Sequence, residues 1–145
     1  MARAIFKKKT SRVNRVTKPA ATIDVSVFCR DLDNWPRSWM GLEKDLPPGE
    51  ALVVCLRPFI EHLALANLSP KTVRQHVDNL WTLGGEIIRD LHYDPSRRKM
   101  AADRLLRDAV HEYGGPVVHN GSEEQQRSFD STCRKLYRFL AQHRS

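Results

Sequence analysis

The chain has 145 residues and a mass of 16.7 kDa, enough for one domain and a tail. Its 41% hydrophobic and 28% charged residues exclude disorder throughout. No apolar run reaches the roughly 18 residues of a membrane-spanning helix, and no apolar stretch of signal-peptide type follows the basic start. The expected place is the cytoplasm, on the nucleoid if the cell is bacterial, with no membrane partner. Cys29, Cys55 and Cys133 are odd in number and far apart, which argues against a disulfide framework.

The formal net charge is +7, and it is concentrated. Residues 1–20 hold Arg3, Lys7, Lys8, Lys9, Arg12, Arg15 and Lys18 and no acid, while the remainder balances 17 bases against 17 acids. A like-charged block with few core-forming residues repels itself until an anion neutralises it. Residues 1–22 are therefore expected to form a flexible, disordered basic arm, with nucleic acid as its commonest partner. A solubilising tail fits the same composition. A transit peptide fits less well, for want of a clean amphipathic face.

Residues 23–48 read as a loop-rich segment packed on the core. Its apolar clusters, 23–28 and 35–40, are interrupted by Pro36, Gly41, Pro47 and Pro48. Trp35 and Trp39 are expected to fold it down, since large rings gain most from burial. From residue 49 the period becomes helical. Leu52, Leu56, Phe59, Ile60 and Leu63 mark one face, with Pro58 expected to kink or split the helix near Arg57.

Ser69-Pro70 opens the next helix, as cap and first residue. Its stripe runs through Val73, Val77, Leu80, Ile87, Ile88 and Leu91. Gly84-Gly85 inside it predicts a bend or the close crossing of another element. Asp94-Pro95 reads as a repeat of that start, with a stripe from Ala102 to Tyr113 and a stop at Gly114-Gly115-Pro116. Val117 and Val118 could make a brief extended contact. Ser122 with Gln125 forms a capping-box pair ahead of Phe129, Cys133, Leu136, Tyr137 and Leu140. The expected fold is all-α: a compact four-helix bundle over residues 49–145.

Ser69, Lys71, Thr72, Arg74 and Gln75 crowd the first two turns of the second helix. Free amides, hydroxyls and cations converge there, which suits a phosphate. A capped helix with a solvated polar face accounts for the same residues. Arg97, Arg98 and Lys99 form a second basic cluster. Read as a helical first turn, it opposes the helix dipole, which favours a nearby phosphate; Asp94 and Asp103 could neutralise it instead.

The stretch from Leu56 to Leu91 resembles the N-terminal core-binding, SAM-like domain of tyrosine recombinases, the phage-integrase family. The similarity rests on Phe59, Leu63, Leu68, Ser69, Lys71, Thr72, His76 and Leu80. His76 stands where that family has a tyrosine, and Pro58 interrupts the first helix. The resemblance implies a small helical bundle that approaches DNA with the start of the Ser69 helix. The family's catalytic half has no counterpart here: none of the six histidines is followed at the third position by arginine. Tyr93, Tyr113 and Tyr137 read as core or interface residues, and His62 and His76 as half-buried core residues. Transesterification also needs several cationic donors around the phosphate.

No cysteine or histidine spacing fits a metal site, and no glycine pattern fits a nucleotide loop. The expected function is that of a non-catalytic DNA-binding protein without cofactor or metal, an accessory or regulatory factor of a mobile element. Double-stranded DNA is the expected partner, with a recombinase or other protein as a second. The alternative is a helical protein-interaction module with a solubilising tail.

Overall fold

The computed structural model describes residues 24–143. Lys7, Lys8, Lys9, Arg12 and Arg15, the expected contacts of the arm, lie outside them. Five α-helices carry the described chain: α1 (Trp35–Trp39), α2 (Leu46–Leu65), α3 (Pro70–Tyr93), α4 (Ala102–Ala109) and α5 (Glu123–Gln142). Short 3-10 turns occupy Val25–Val27, Leu32–Asn34, Glu43–Asp45 and Pro95–Lys99. Among the described residues there is no β-strand, only an isolated bridge between His111 and Gly114. The fold is all-α.

One core joins these elements. Leu52, Leu56, Phe59, Ile60 and Leu63 of α2 are buried, as the periodicity predicts. They meet Val73, Val77, Leu80, Ile87, Ile88 and Leu91 of α3, Leu105 and Leu106 of α4, and Phe129, Cys133, Leu136 and Leu140 of α5. Each fully buried aliphatic or aromatic side chain contributes about 1.5–3 kcal/mol relative to exposure.

α2 begins at Leu46, ahead of the residue 49 boundary, and runs unbroken through Pro58. The missing donor leaves the carbonyl of Val54 without its helical partner. Val54 is 71% exposed, so water can serve that carbonyl and no split is needed. The segment before α2 forms short helical turns.

Ser69 caps α3 as expected: its hydroxyl accepts from the Thr72 N–H at 3.1 Å. α3 stays continuous across Gly84-Gly85. The reason for Gly84 is a close crossing, because a Cβ there would run into the Trp39 ring. The Trp39 indole donates to the Trp81 carbonyl at 2.9 Å, and the Trp81 indole donates to Ser38 Oγ at 2.8 Å. Trp35, only 2% exposed, seats the same segment on the core.

The third helix departs from expectation. Asp94-Pro95 opens a 3-10 turn and its side chain does not cap. Met100 and Ala101 are extended, so α4 starts only at Ala102 and ends at Ala109. Tyr113 is 75% exposed and lies outside the stripe. Gly114 does not cap the helix. It closes a tight turn onto His111 at φ +149°, a conformation open to glycine, with Asp130 where a Cβ would sit. Val118 makes no strand; its N–H donates to Gln126 Oε1 at 2.8 Å. The Ser122–Gln125 capping box forms in both directions.

Candidate nucleic-acid interface

The start of α3 presents Lys71, Arg74 and Gln75 to solvent, with Thr72 half-buried beside the Ser69 hydroxyl that bonds it. Pro70 occupies the first turn, where its lack of an N–H costs nothing. Lys71 and Arg74 lie three apart and so share a face.

Helix α5 brings further cations to the same end. His76 Nδ1 lies 2.7 Å from Thr132 Oγ1, and Asn79 Nδ2 donates to Thr132 Oγ1 and Ser128 Oγ. Advancing along α3 thus means retreating along α5, so the two helices are antiparallel. That register carries Lys135, Arg138 and Phe139 toward the start of α3. The charge of Lys135 reaches His76, whose pKa is lowered first by burial and then by that lysine. His76 is therefore a buried neutral polar link between helices, in keeping with a core role.

Phe139 also meets the last turns of α2. Its ring lies 5.3 Å from Phe59 and 5.0 Å from His62. His62 itself is exposed, contrary to a half-buried core role. One end of the bundle therefore gathers the end of α2, the start of α3 and the last half of α5. Lys71, Arg74, Lys135 and Arg138 make no ion pair among the described residues.

The second basic cluster is built differently. Arg98 reaches Asp45 Oδ1 at 2.8 Å, and the Asp45 side chain is fully buried. Asp45 also accepts from the Gly41 and Leu42 amides, and His92 Nε2 lies 2.9 Å from it. Burial works to raise the pKa of Asp45. The Leu42 amide, Arg98, the Gly41 amide and His92 outweigh it and hold the carboxyl well below the usual carboxylate range. Arg97 pairs with Asp90 and Asp108, and Arg104 also pairs with Asp108. Arg107 takes Asp103, the acid expected to neutralise Lys99, and donates to the Leu140 carbonyl. Lys99 is exposed and makes no ion pair among the described residues. The structure thus separates Arg97 and Arg98 from the α3 start and ties both to carboxylates.

Among the described residues, the α2–α3–α5 end gathers the long cations Lys71, Arg74, Lys135 and Arg138 beside the Ser69 and Thr72 hydroxyls. Burial pushes the Cys29 and Cys133 thiols up to about 12, so neither is a ready nucleophile. Among the described residues no three His, Cys, Asp or Glu side chains are placed to hold a metal ion. Likewise no helix there is long and apolar enough to cross a membrane.

Sequence reasoning did not single out Lys135 and Arg138. Their position late in α5 suits the helix dipole, which gave them a sufficient local reason. Only the antiparallel pairing of α3 with α5 joins them to Lys71. Comparison with protein-family models, curated proteins and solved structures returned no match for this chain.

Proposed function

We propose that this chain is a non-catalytic DNA-binding protein that meets the phosphates of double-stranded DNA with the α2–α3–α5 end, an accessory or regulatory factor of a mobile element. The observation that carries this reading is the contrast in charge pairing. Among the described residues, Arg97, Arg98, Arg104 and Arg107 are each matched to a carboxylate, whereas Lys71, Arg74, Lys135 and Arg138 are not. Unmatched cations gathered beside capped helix amides have a use when phosphate supplies the anion. The resemblance of the Ser69 helix to the recombinase core-binding domain points to the same helix start.

Full-length protein titrated with duplex DNA at about 50 and about 200 mM salt tests the reading. Each neutralised phosphate contributes about 0.9 to the slope of log affinity against log salt. The expected result is binding that weakens steeply with salt. Absence of binding at the lower salt overturns it.

A second reading, a protein-interaction module, has its own observation. Tyr93, 76% exposed, stands between two surface grooves of about 490 and 670 Å³. Exposed Trp81 lines the larger groove. Exposed aromatic residues beside arginine are enriched at protein interfaces. A recombinase or other protein would dock there, leaving the cationic end free for DNA.

A further inference from the structure

The cationic end holds two exposed histidines that the reading above does not use. His143 closes α5, and its ring stacks on Phe139 at 4.1 Å, 25° from parallel. His62, in the last turn of α2, packs on Phe139 at 5.0 Å. Phe139 thus packs against two imidazoles, one from α2 and one at the end of α5. His143 Nδ1 lies 2.8 Å from the Phe139 carbonyl. A carbonyl can only accept, so Nδ1 carries the proton and Nε2 is the atom left to gain or lose one.

The neighbouring charges define what this stack can do. On its own helix, Lys135 lies two turns before His143 on the same stripe, with Arg138 alongside. On α4, Arg107 reaches the Leu140 carbonyl and is tied to Asp103. On α3, Lys71 opens the helix that follows α2, and on α2 Glu61 precedes His62. These groups leave cations in excess, with Asp103 already engaged.

We infer that His62 and His143 belong to the phosphate-contacting surface and engage nucleic acid in their protonated form. This rests on the DNA-binding reading and adds its proton dependence. An imidazolium at either position brings a charge and an N–H donor to the edge of the Lys71–Lys135 patch. The Phe139 ring face and the ends of α2 and α5 both accommodate positive charge. Phosphate at this end favours the charged imidazoles, so by linkage binding takes up protons. Affinity then rises as pH falls and is lower where the rings are neutral. His76, a few residues into α3, does not share the role, because it is buried and bonded to Thr132.

Duplex DNA is titrated into the full chain from about pH 8 to about pH 5.5 at one ionic strength. The parallel proteins are His62→Gln/His143→Gln and, as a control, His111→Gln/His119→Gln, whose exposed rings lie outside this end. Circular dichroism checks folding at each pH. Wild type and control are expected to bind about tenfold more tightly at the acid end, and His62→Gln/His143→Gln to lose most of that gain. If wild type binds DNA with no pH dependence, or the double variant keeps the full dependence, the inference fails and the DNA-binding reading stands. If no protein binds DNA at any pH, both fail together.

Discussion

The Pro95–Arg107 segment and the α2–α3–α5 end hold similar sets of cations and place them in opposite surroundings. In the first, four carboxylates from three elements close on the arginines: Asp45 before α2, Asp90 on α3, and Asp103 and Asp108 on α4. In the second, no acid pairs with Lys71, Arg74, Lys135 or Arg138 among the described residues. Composition treats the two alike. The difference is tertiary, and it separates charge that holds the fold from charge that remains available to a ligand. Arg98 shows the structural end of this range, with its side chain only 17% exposed against a fully buried acid. Breaking a buried pair by removing one partner leaves the other charge uncompensated, which is where a large penalty arises.

Asp45→Ala should accordingly have the greatest effect on stability, about 3–5 kcal/mol in denaturant unfolding, since Arg98, His92 and two amides lose their acceptor. The pH dependence carries a definite sign. The folded pKa of Asp45 lies below its unfolded value of about 3.9, so its contribution is complete above that value and is lost as pH falls toward the folded pKa. Wild type should lose more stability than Asp45→Asn between about pH 5 and about pH 2. Equal losses would mean that the paired cluster does not hold the fold through this carboxylate.

Gly84→Ala comes next. The new Cβ displaces the Trp39 ring from α3, at a cost of about 1–3 kcal/mol and with a red shift in tryptophan fluorescence. Ser122→Ala, which removes one half of the α5 capping box, should cost about 1 kcal/mol in thermal unfolding. Arg104→Gln has the smallest expected effect. Its pair with Asp108 is a solvent-exposed i, i+4 contact, worth about 0.3–0.5 kcal/mol, and its loss should leave DNA affinity within about twofold.

Local chemistry was legible in the sequence wherever cause and effect lie within a turn or two. The Ser69-Pro70 start, the Ser122–Gln125 box and the stripes of α2, α3 and α5 follow from spacing, except that Tyr137, expected in the α5 stripe, is exposed. Gly84-Gly85 left a bend or a close crossing open, and Trp39 supplies the crossing. The third helix was misread because Ala102, Leu105, Leu106 and Ala109 keep the helical period while Met100-Ala101, which breaks it, carries no glycine or proline. Arg97 and Arg98 were read as phosphate-facing because their carboxylate partners lie elsewhere: Asp45 is 53 residues from Arg98. Lys135 and Arg138 were not singled out for the converse reason, since periodicity does not say which helix α5 packs against.

The most direct test compares DNA affinity across the two sets of cations. Lys71→Glu/Arg74→Glu adds acids near a helix N-terminus, where the dipole tolerates them, so stability should change by less than about 1 kcal/mol. Duplex DNA binding at fixed salt should fall by at least about tenfold, equivalent to 1.4 kcal/mol. Arg104→Gln and the charge reversal Glu123→Lys/Glu124→Lys, at the opposite end of α5, should not weaken binding. A Lys71→Glu/Arg74→Glu protein that folds normally and binds DNA as wild type does would contradict the account.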